Sequence, residues 1–333
     1  MSDVFAFALG LRHKNADDRV LDCLFPQPLI HPQGDLAEAV QSVPSGCTEL
    51  TPEVAAKLAA QVGLSAKLAP LLERDEPLVA VKLVDDAPIT CIEDAYLKLH
   101  LLSHRLSLPN SLNLEGIFAH LPNIAWTSAG PIDVNDLDQA ILNARSEGLN
   151  LEVFAVDKFP KMVNYVVPTG VRIADASRIR LGAYLGEGTT VMHEGFVNFN
   201  AGALGPNMIE GRISQGVIVG AGTDLGGSSS TMGTLSGGGE IIVSIGEQCL
   251  IGANAGTGIP LGDRCTIEAG VYITGGTPLV VLDEDGQPVR EVKGRELAGH
   301  SDLLFMRHGL SGQVICRTNR QAIELNNALH AHN

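Results

Sequence analysis

Apolar positions along the first third of the chain follow two different periods. VFAFALGL (4–11) and PLVAVKLV (77–84) are continuous apolar runs, long enough for buried strands and too short for helices. TPEVAAKLAAQVG (51–63) spaces its apolar residues by three and four and has proline at a plausible first helical position, which predicts a helix. EDAYLKLHLLSHRLS (93–107) predicts a second, amphipathic one. Together these read as a mixed α/β domain over residues 1–110. His100 and His104 lie one turn apart on the second helix, a spacing that can hold a metal. No third ligand follows in a metal-binding pattern, so a helix face packed on a sheet is the simpler reading. Residues 111–167 form a connecting segment. Within it DVNDLDQAILNARSEG predicts one helix, with Asp and Asn at its start and Gly148 at its stop. LEVFAVDKFPKMVNYVVPTG then reads as extended chain up to a boundary at Pro168 and Gly170.

From residue 168 the period becomes six. Apolar or small side chains recur at Ile173, Ile179, Leu185, Val191, Val197, Ala203 and Ile209. The pattern resumes at Val219 and Leu225, at Ile245 and Ile251, and at Leu261, Ile267, Ile273 and Leu279. Several of these are followed directly by glycine. A six-residue repeat of this kind predicts a parallel β-helix over 168–281. Three short strands make one triangular coil, and one side chain in six stacks on its counterpart in the next coil. About six coils at roughly 4.8 Å per strand give a prism near 30 Å tall. The frame slips between Leu225 and Ile245, leaving GGSSSTMGTLSGGGE as a loop or irregular coil. Residues 282–333 change character again. DEDGQP reads as a hairpin-like turn, SDLLFMRH and GQVICRTN as strands, and NRQAIELNNALH as a closing helix.

Composition narrows the options. A formal charge of −15 disfavours nonspecific nucleic-acid binding, though local cations can still bind an anionic substrate. The six cysteines are scattered without a CxxC pair, as expected of thiols in a cytoplasmic protein. No apolar stretch is long enough for a membrane-spanning helix, and the start reads as a strand, not a signal peptide. Hexapeptide prisms serve acyl transfer, zinc-dependent hydration or purely structural roles. Between 168 and 280 the only histidine is His193, so a three-histidine zinc site cannot be built from the prism. A structural repeat would keep its frame, and this one breaks it. Acyl transfer therefore leads. Within the repeat, NMIEGRISQG sets Glu210 and Arg212 two residues apart. On residue type alone they are open between an exposed ion pair and chemistry.

The wording of the repeat goes beyond its period. GVRIADASRIRLGAYLGEGTTVMHEGFVNFNAGALG, MIEGRIS, MGTLSGGG, IGANAGTGIPLGD and EAGVYITGGT resemble the tetrahydrodipicolinate N-succinyltransferases. The similar branch is the one with a sizeable α/β domain before the prism. The likeness covers about 165–333, and the N-terminal half is similar only in layout. It implies a left-handed β-helix between an α/β N-terminal domain and a small C-terminal α+β extension, assembled as a homotrimer. It also implies transfer of a succinyl group from succinyl-CoA, a co-substrate with no covalently bound cofactor beside it. The acceptor would be the amine of ring-opened tetrahydrodipicolinate, on the route to diaminopimelate and lysine.

The resemblance also implies roles. Glu210 matches the family's catalytic glutamate, a general base for the attacking amine or the site of an acyl anhydride; the base role is preferred. Gly233 matches the backbone donor for the oxyanion. Arg212 would grip a substrate carboxylate bidentately. Gly227 and Ser230 would contact the acyl-CoA, and Ala253, Glu268, Ala269 and Gly276 match positions along the pantetheine arm. Lys293 is the candidate for a CoA phosphate, with Arg295 and Arg307 behind it. Glu194 matches a carboxylate that some relatives use to hold Mg2+ or another cation on the trimer axis. Ser177 stands where such relatives can have a second acidic residue, and His193 reads as structural. The rivals are another CoA-dependent N-acyltransferase, using acetyl-CoA or a different amine, and a non-enzymatic trimeric scaffold.

Overall fold

A computed structural model describes residues 4–73, 78–235 and 240–318. The chain divides into two compact units, residues 1–107 with 111–166, and residues 108–110 with 167–333.

The first unit is built on an antiparallel sheet in the order Val20–Leu24, Ala6–Lys14, Leu78–Leu83, Gly46–Leu50, with the short strand Leu29–Ile30 also paired to Ala6–Lys14. The two apolar runs are thus its two central strands. Alternate residues of a strand point to opposite faces, and Ala6 through Leu11 are all buried, so the sheet is covered on both sides. Phe7 and Leu9 join Val40, Leu58 and Leu68 from the helices Asp35–Gln41, Pro52–Gln61 and Ser65–Leu72, with Leu64 just before the last of these, in one core.

The helix Ile92–Ser103 departs from the amphipathic expectation, because Glu93 through Ser103 are all buried. Its polar groups are individually matched, which is what allows burial. Lys98 Nζ donates to Asp86 Oδ1 and to the carbonyls of Ala87 and Asn113, each at 2.6 Å. Glu93 accepts from Arg12 at 2.9 Å. His100 donates from Nδ1 to the Tyr96 carbonyl and accepts at Nε2 from the Phe25 amide, so neither nitrogen is offered to a ligand. Burial lowers its pKa to about 3.

The segment after this helix is more than a connection. Strands Ile124–Thr127, Gly130–Asp133 and Val153–Asp157 form a three-stranded antiparallel sheet around the helix Leu137–Ser146.

The second unit is the prism. Its first face stacks Arg172–Ile173, Thr189–Val191, Asn207–Ile209, Asp224–Leu225, Leu250–Ile251 and Thr266–Ile267, all parallel. The second stacks Phe196–Val197, Arg212–Ile213, Ser230–Thr231, Gly256–Thr257 and Tyr272–Ile273. The third stacks Ala183–Leu185, Ala201–Ala203, Ile218–Val219 and Ser244–Ile245, continued by a bridge to Leu261. The six-residue series supplies the inward ladders: Val191, Ile209, Leu225, Ile251 and Ile267 on the first face are at most 1 % exposed.

The slip after Ile209 has a simple geometry. Ile213 takes the next inward position, paired with Val197, so the corner between the first and second faces is two residues shorter than its counterpart below. The larger slip after Leu225 begins only beyond Thr231, so Gly226–Ser230 belong to a regular corner and the extra residues fall, in sequence, between the second and third faces, where Thr234 bridges to Ile242. The C-terminal hairpin pairs Pro278–Leu282 with Pro288–Lys293 across the DEDGQP turn. Strands Leu303–Arg307 and Val314–Thr318 are antiparallel partners, and the first stacks Phe305 on Ile267. The closing helix expected for NRQAIELNNALH lies outside the described residues.

Candidate active site

The chain leaves the first face immediately after each inward residue, so the residues that follow stack along one edge of the prism. The stack is tied by amides: Met192 donates to Ile209, Glu210 to Leu225, Gly226 to Ile251, Gly252 to Ile267 and Glu268 to Phe305, at 2.7–2.9 Å. Glu194, Glu210, Gly227, Ala253, Glu268 and Ala269 therefore lie on a single edge, with Arg307 at its end. Arg307 donates its amide to Glu268 Oε2 at 2.8 Å. Above Glu210 this edge carries Gly226, Gly227, Gly252, Ala253 and Ala269 beside Ser228, Asn254 and Glu268, and close stacking requires the glycines at 226 and 252. A Cβ on Gly226 would lie 2.7 Å from the Ala253 nitrogen, and one on Gly252 2.5 Å from that of Ala269.

Glu210 sits in the shortened corner, half-buried, with its main chain fixed by the coil above: its amide donates to the Leu225 carbonyl and its carbonyl accepts from the Ser228 amide. Gly227 lies between two carboxylates: its missing Cβ would be 3.4 Å from Glu194 Oε2 and 3.6 Å from Glu210 Oε2. Ser228 Oγ donates to Glu194 Oε2 at 3.0 Å. Arg212 does not pair with Glu210; its Nη2 donates to Ser230 Oγ at 2.5 Å. Arg212 projects from the second face, directly between Phe196 and Ser230 in register. Phe196, Arg212, Ser228 and Ser230 line an open cleft of about 630 Å³ together with Glu194, His193 and Arg178. Arg178 and Ser228 are absent from the candidates that the sequence suggested. The available signal was positional, since Arg178 directly precedes the inward residue Ile179, as Arg212 precedes Ile213.

The other candidates lie across the second face, on its far edge. Gly233 follows Ser230–Thr231, where a Cβ would meet the Gln215 carbonyl at 3.0 Å. Two coils higher, Gly276 lies in the turn after Tyr272–Ile273. Lys293 and Arg295 pack on that turn: Gly294 N donates to the Thr277 carbonyl, and Arg295 donates both its amide and Nε to that of Gly275. Lys293 and Arg295 are therefore neighbours, whereas Arg307 belongs to the first edge. Within one chain, Glu210 and Gly233 stand on opposite edges of the same face.

Comparison with known proteins fits this architecture. The family described as "Hexapeptide repeat of succinyl-transferase" matches residues 242–275, and "Tetrahydrodipicolinate N-succinyltransferase middle" matches residues 121–161. A 2,3,4,5-tetrahydropyridine-2,6-dicarboxylate N-succinyltransferase of Pseudomonas putida is 56% identical over 340 residues, covering 99% of both chains. The chain belongs to the tetrahydrodipicolinate N-succinyltransferase family. The Vibrio cholerae member is 51% identical with the same coverage. A solved Campylobacter jejuni structure, titled as a 2,3,4,5-tetrahydropyridine-2-carboxylate N-succinyltransferase, superposes with a TM-score of 0.86 at 30% identity. It covers 96% of this chain and 94% of its own. The family's middle segment, 121–161, corresponds to the three-stranded sheet and its helix in the first unit.

Proposed function

We propose that this member of the family transfers the succinyl group of succinyl-CoA to the amine of ring-opened tetrahydrodipicolinate, in cytoplasmic diaminopimelate and lysine biosynthesis. The observation that carries this reading is the run of glycine and alanine along the edge above Glu210. Gly226, Gly227, Gly252, Ala253 and Ala269 leave a strip along which an extended pantetheine arm can lie, and the strip ends at a carboxylate. Glu210 takes the proton from the amine as nitrogen attacks the thioester carbonyl. An oriented amine already reacts readily with a thioester, so positioning and proton removal meet the chemical need without an anhydride. The Gly233 amide stabilises the oxyanion. Arg212 holds a substrate carboxylate, and Lys293 with Arg295 faces the CoA phosphates.

Because one chain separates Glu210 from Gly233 across a whole face, the reaction calls for a second copy, and the homotrimer supplies it. A neighbour's Gly233 edge laid against the Glu210 edge closes a site between subunits. No step is assigned to a cation. A cation on the trimer axis would take Glu194 once from each copy; within one chain Glu194 Oε2 accepts from Ser228. Ser177 Oγ is turned to Asp175 at 2.6 Å.

The test is release of CoA thiol from succinyl-CoA and from acetyl-CoA with tetrahydrodipicolinate as acceptor. Acceptor-dependent release with succinyl-CoA alone is expected. Equal rates with acetyl-CoA would refute the acyl assignment, and no acceptor-dependent release would refute the transferase itself.

A further inference from the structure

The outward column of the second face begins one coil below Phe196. Ile179 bridges to Val197, and Val197 pairs with Ile213, so the residues preceding them, Arg178, Phe196 and Arg212, stack in register. Two strand spacings, about 9–10 Å, separate the backbones that carry the two arginines. An aromatic ring lies between them. Both arginines line the same cleft as Glu194 and Ser228.

Arg178 is held in place by the main chain. Its Nη2 donates to the Glu194 carbonyl at 2.9 Å and its Nε to that of Gly195 at 3.3 Å, while its guanidinium carbon lies 5.9 Å from the Phe196 ring centre. These bonds position the charge without neutralising it. Among the described residues neither Arg178 nor Arg212 has a carboxylate partner. Glu194, the acidic side chain that lines the cleft with them, accepts from Ser228. Two preorganised cations with an apolar floor between them match one kind of ligand: a carboxylate at each end of a short aliphatic chain.

We infer that Arg178 is a specificity-determining residue that holds one carboxylate of the acceptor while Arg212 holds the other. The inference rests on the succinyltransferase reading of the cleft. The ring-opened acceptor is a seven-carbon dicarboxylate, and its methylenes would lie over Phe196. In this arrangement the amino group hangs between the clamps beside the Glu210 edge, and the column measures the acceptor's length.

The test compares wild type with Arg178→Gln and Arg178→Lys. Thiol release gives KM for the acceptor and for succinyl-CoA, and calorimetry gives the affinity for 2-aminopimelate and for the monocarboxylate 2-aminoheptanoate. Loss of one bidentate charge-assisted pair should raise the acceptor KM about 10- to 100-fold in Arg178→Gln. Succinyl-CoA KM should stay unchanged and Arg178→Lys should fall between. Wild type should prefer 2-aminopimelate, and Arg178→Gln should lose that preference. An unchanged acceptor KM and 2-aminopimelate affinity would overturn the inference. So would equal losses for both substrates with a lowered melting temperature, because Arg178 would then only brace the Met192–Gly195 turn. If wild type shows no turnover, the transferase reading fails by itself. Calorimetry still decides Arg178: weaker 2-aminopimelate binding in the Gln variant supports the clamp, and unchanged or absent binding overturns it.

Discussion

Glu210 and Arg212 are close in sequence but serve different surfaces. The shortened corner turns Glu210 toward the glycine-lined edge, and Arg212 stands on the flat face hydrogen-bonded to Ser230. A general base is worth about 10²–10⁴ in rate. Glu210→Gln, which keeps the shape and removes the base, should lower kcat by that factor with succinyl-CoA KM little changed, as measured by thiol release. Gly227→Ala is a subtler probe. The new methyl would sit 3.4 Å and 3.6 Å from oxygens of Glu194 and Glu210, close to two carboxylates and inside the proposed acyl-CoA path. It should raise succinyl-CoA KM more than it lowers thermal stability, which kinetics and a melting curve read separately. The motif MIEGR made Glu210 recognisable in the sequence. What it could not convey is that Arg212 faces away from Glu210, because that depends on losing two residues from one corner. Arg178 was equally hidden. It becomes a candidate only when strand register lines it up with Phe196 and Arg212, coils that sequence separates by 18 and 16 residues.

Among the elements, the ladders carry the prism. Ile251 is fully buried between Leu225 and Ile267, and its truncation leaves a cavity that stacked strands cannot close. Ile251→Ala should cost about 2–5 kcal/mol, visible as a lower denaturant midpoint. In the first unit, the buried helix Ile92–Ser103 gives a pH signature. His100 is neutral in the fold, with its pKa held down to about 3 from 6.5 by burial. Below pH 6.5 the unfolded chain binds a proton that the folded chain does not, so stability falls as pH drops from 6.5 toward 3. His100→Gln should remove that contribution. The difference between wild-type and variant unfolding midpoints, followed from pH 7 to pH 4, checks the sign.

The elements also show what a sequence can and cannot declare. The six-residue ladder was legible because each inward position must be apolar whatever its neighbours are. The strands at 4–11 and 77–84 were legible because unbroken apolar runs suit strands buried on both faces. The all-round burial of Ile92–Ser103 was not, since Glu93 and Lys98 look like a solvated face until Arg12 and Asp86 meet them from other segments. Likewise Ile213 was missed as a ladder member because it comes four residues after Ile209 and not six.

At the scale of the whole molecule, the two edges of the second face define the account. One edge holds Glu210 and the strip proposed for pantetheine; the other holds Gly233, Gly276, Lys293 and Arg295. A trimer that joins the edges of neighbouring copies makes a specific prediction about mixed assemblies. Glu210→Gln and Gly233→Val should each be inactive alone. Dissociated and reassembled together, they should recover activity, because some interfaces combine an intact Glu210 from one copy with an intact Gly233 from its neighbour. No recovery from verified mixed oligomers would mean that each chain completes its own site. The most direct test of the central claim remains the reaction itself: CoA thiol release from succinyl-CoA, with and without tetrahydrodipicolinate, by wild type and Glu210→Gln. Release should depend on the acceptor and collapse in the variant while succinyl-CoA still binds. Release that ignores the acceptor, or survives loss of the carboxylate, would contradict that claim.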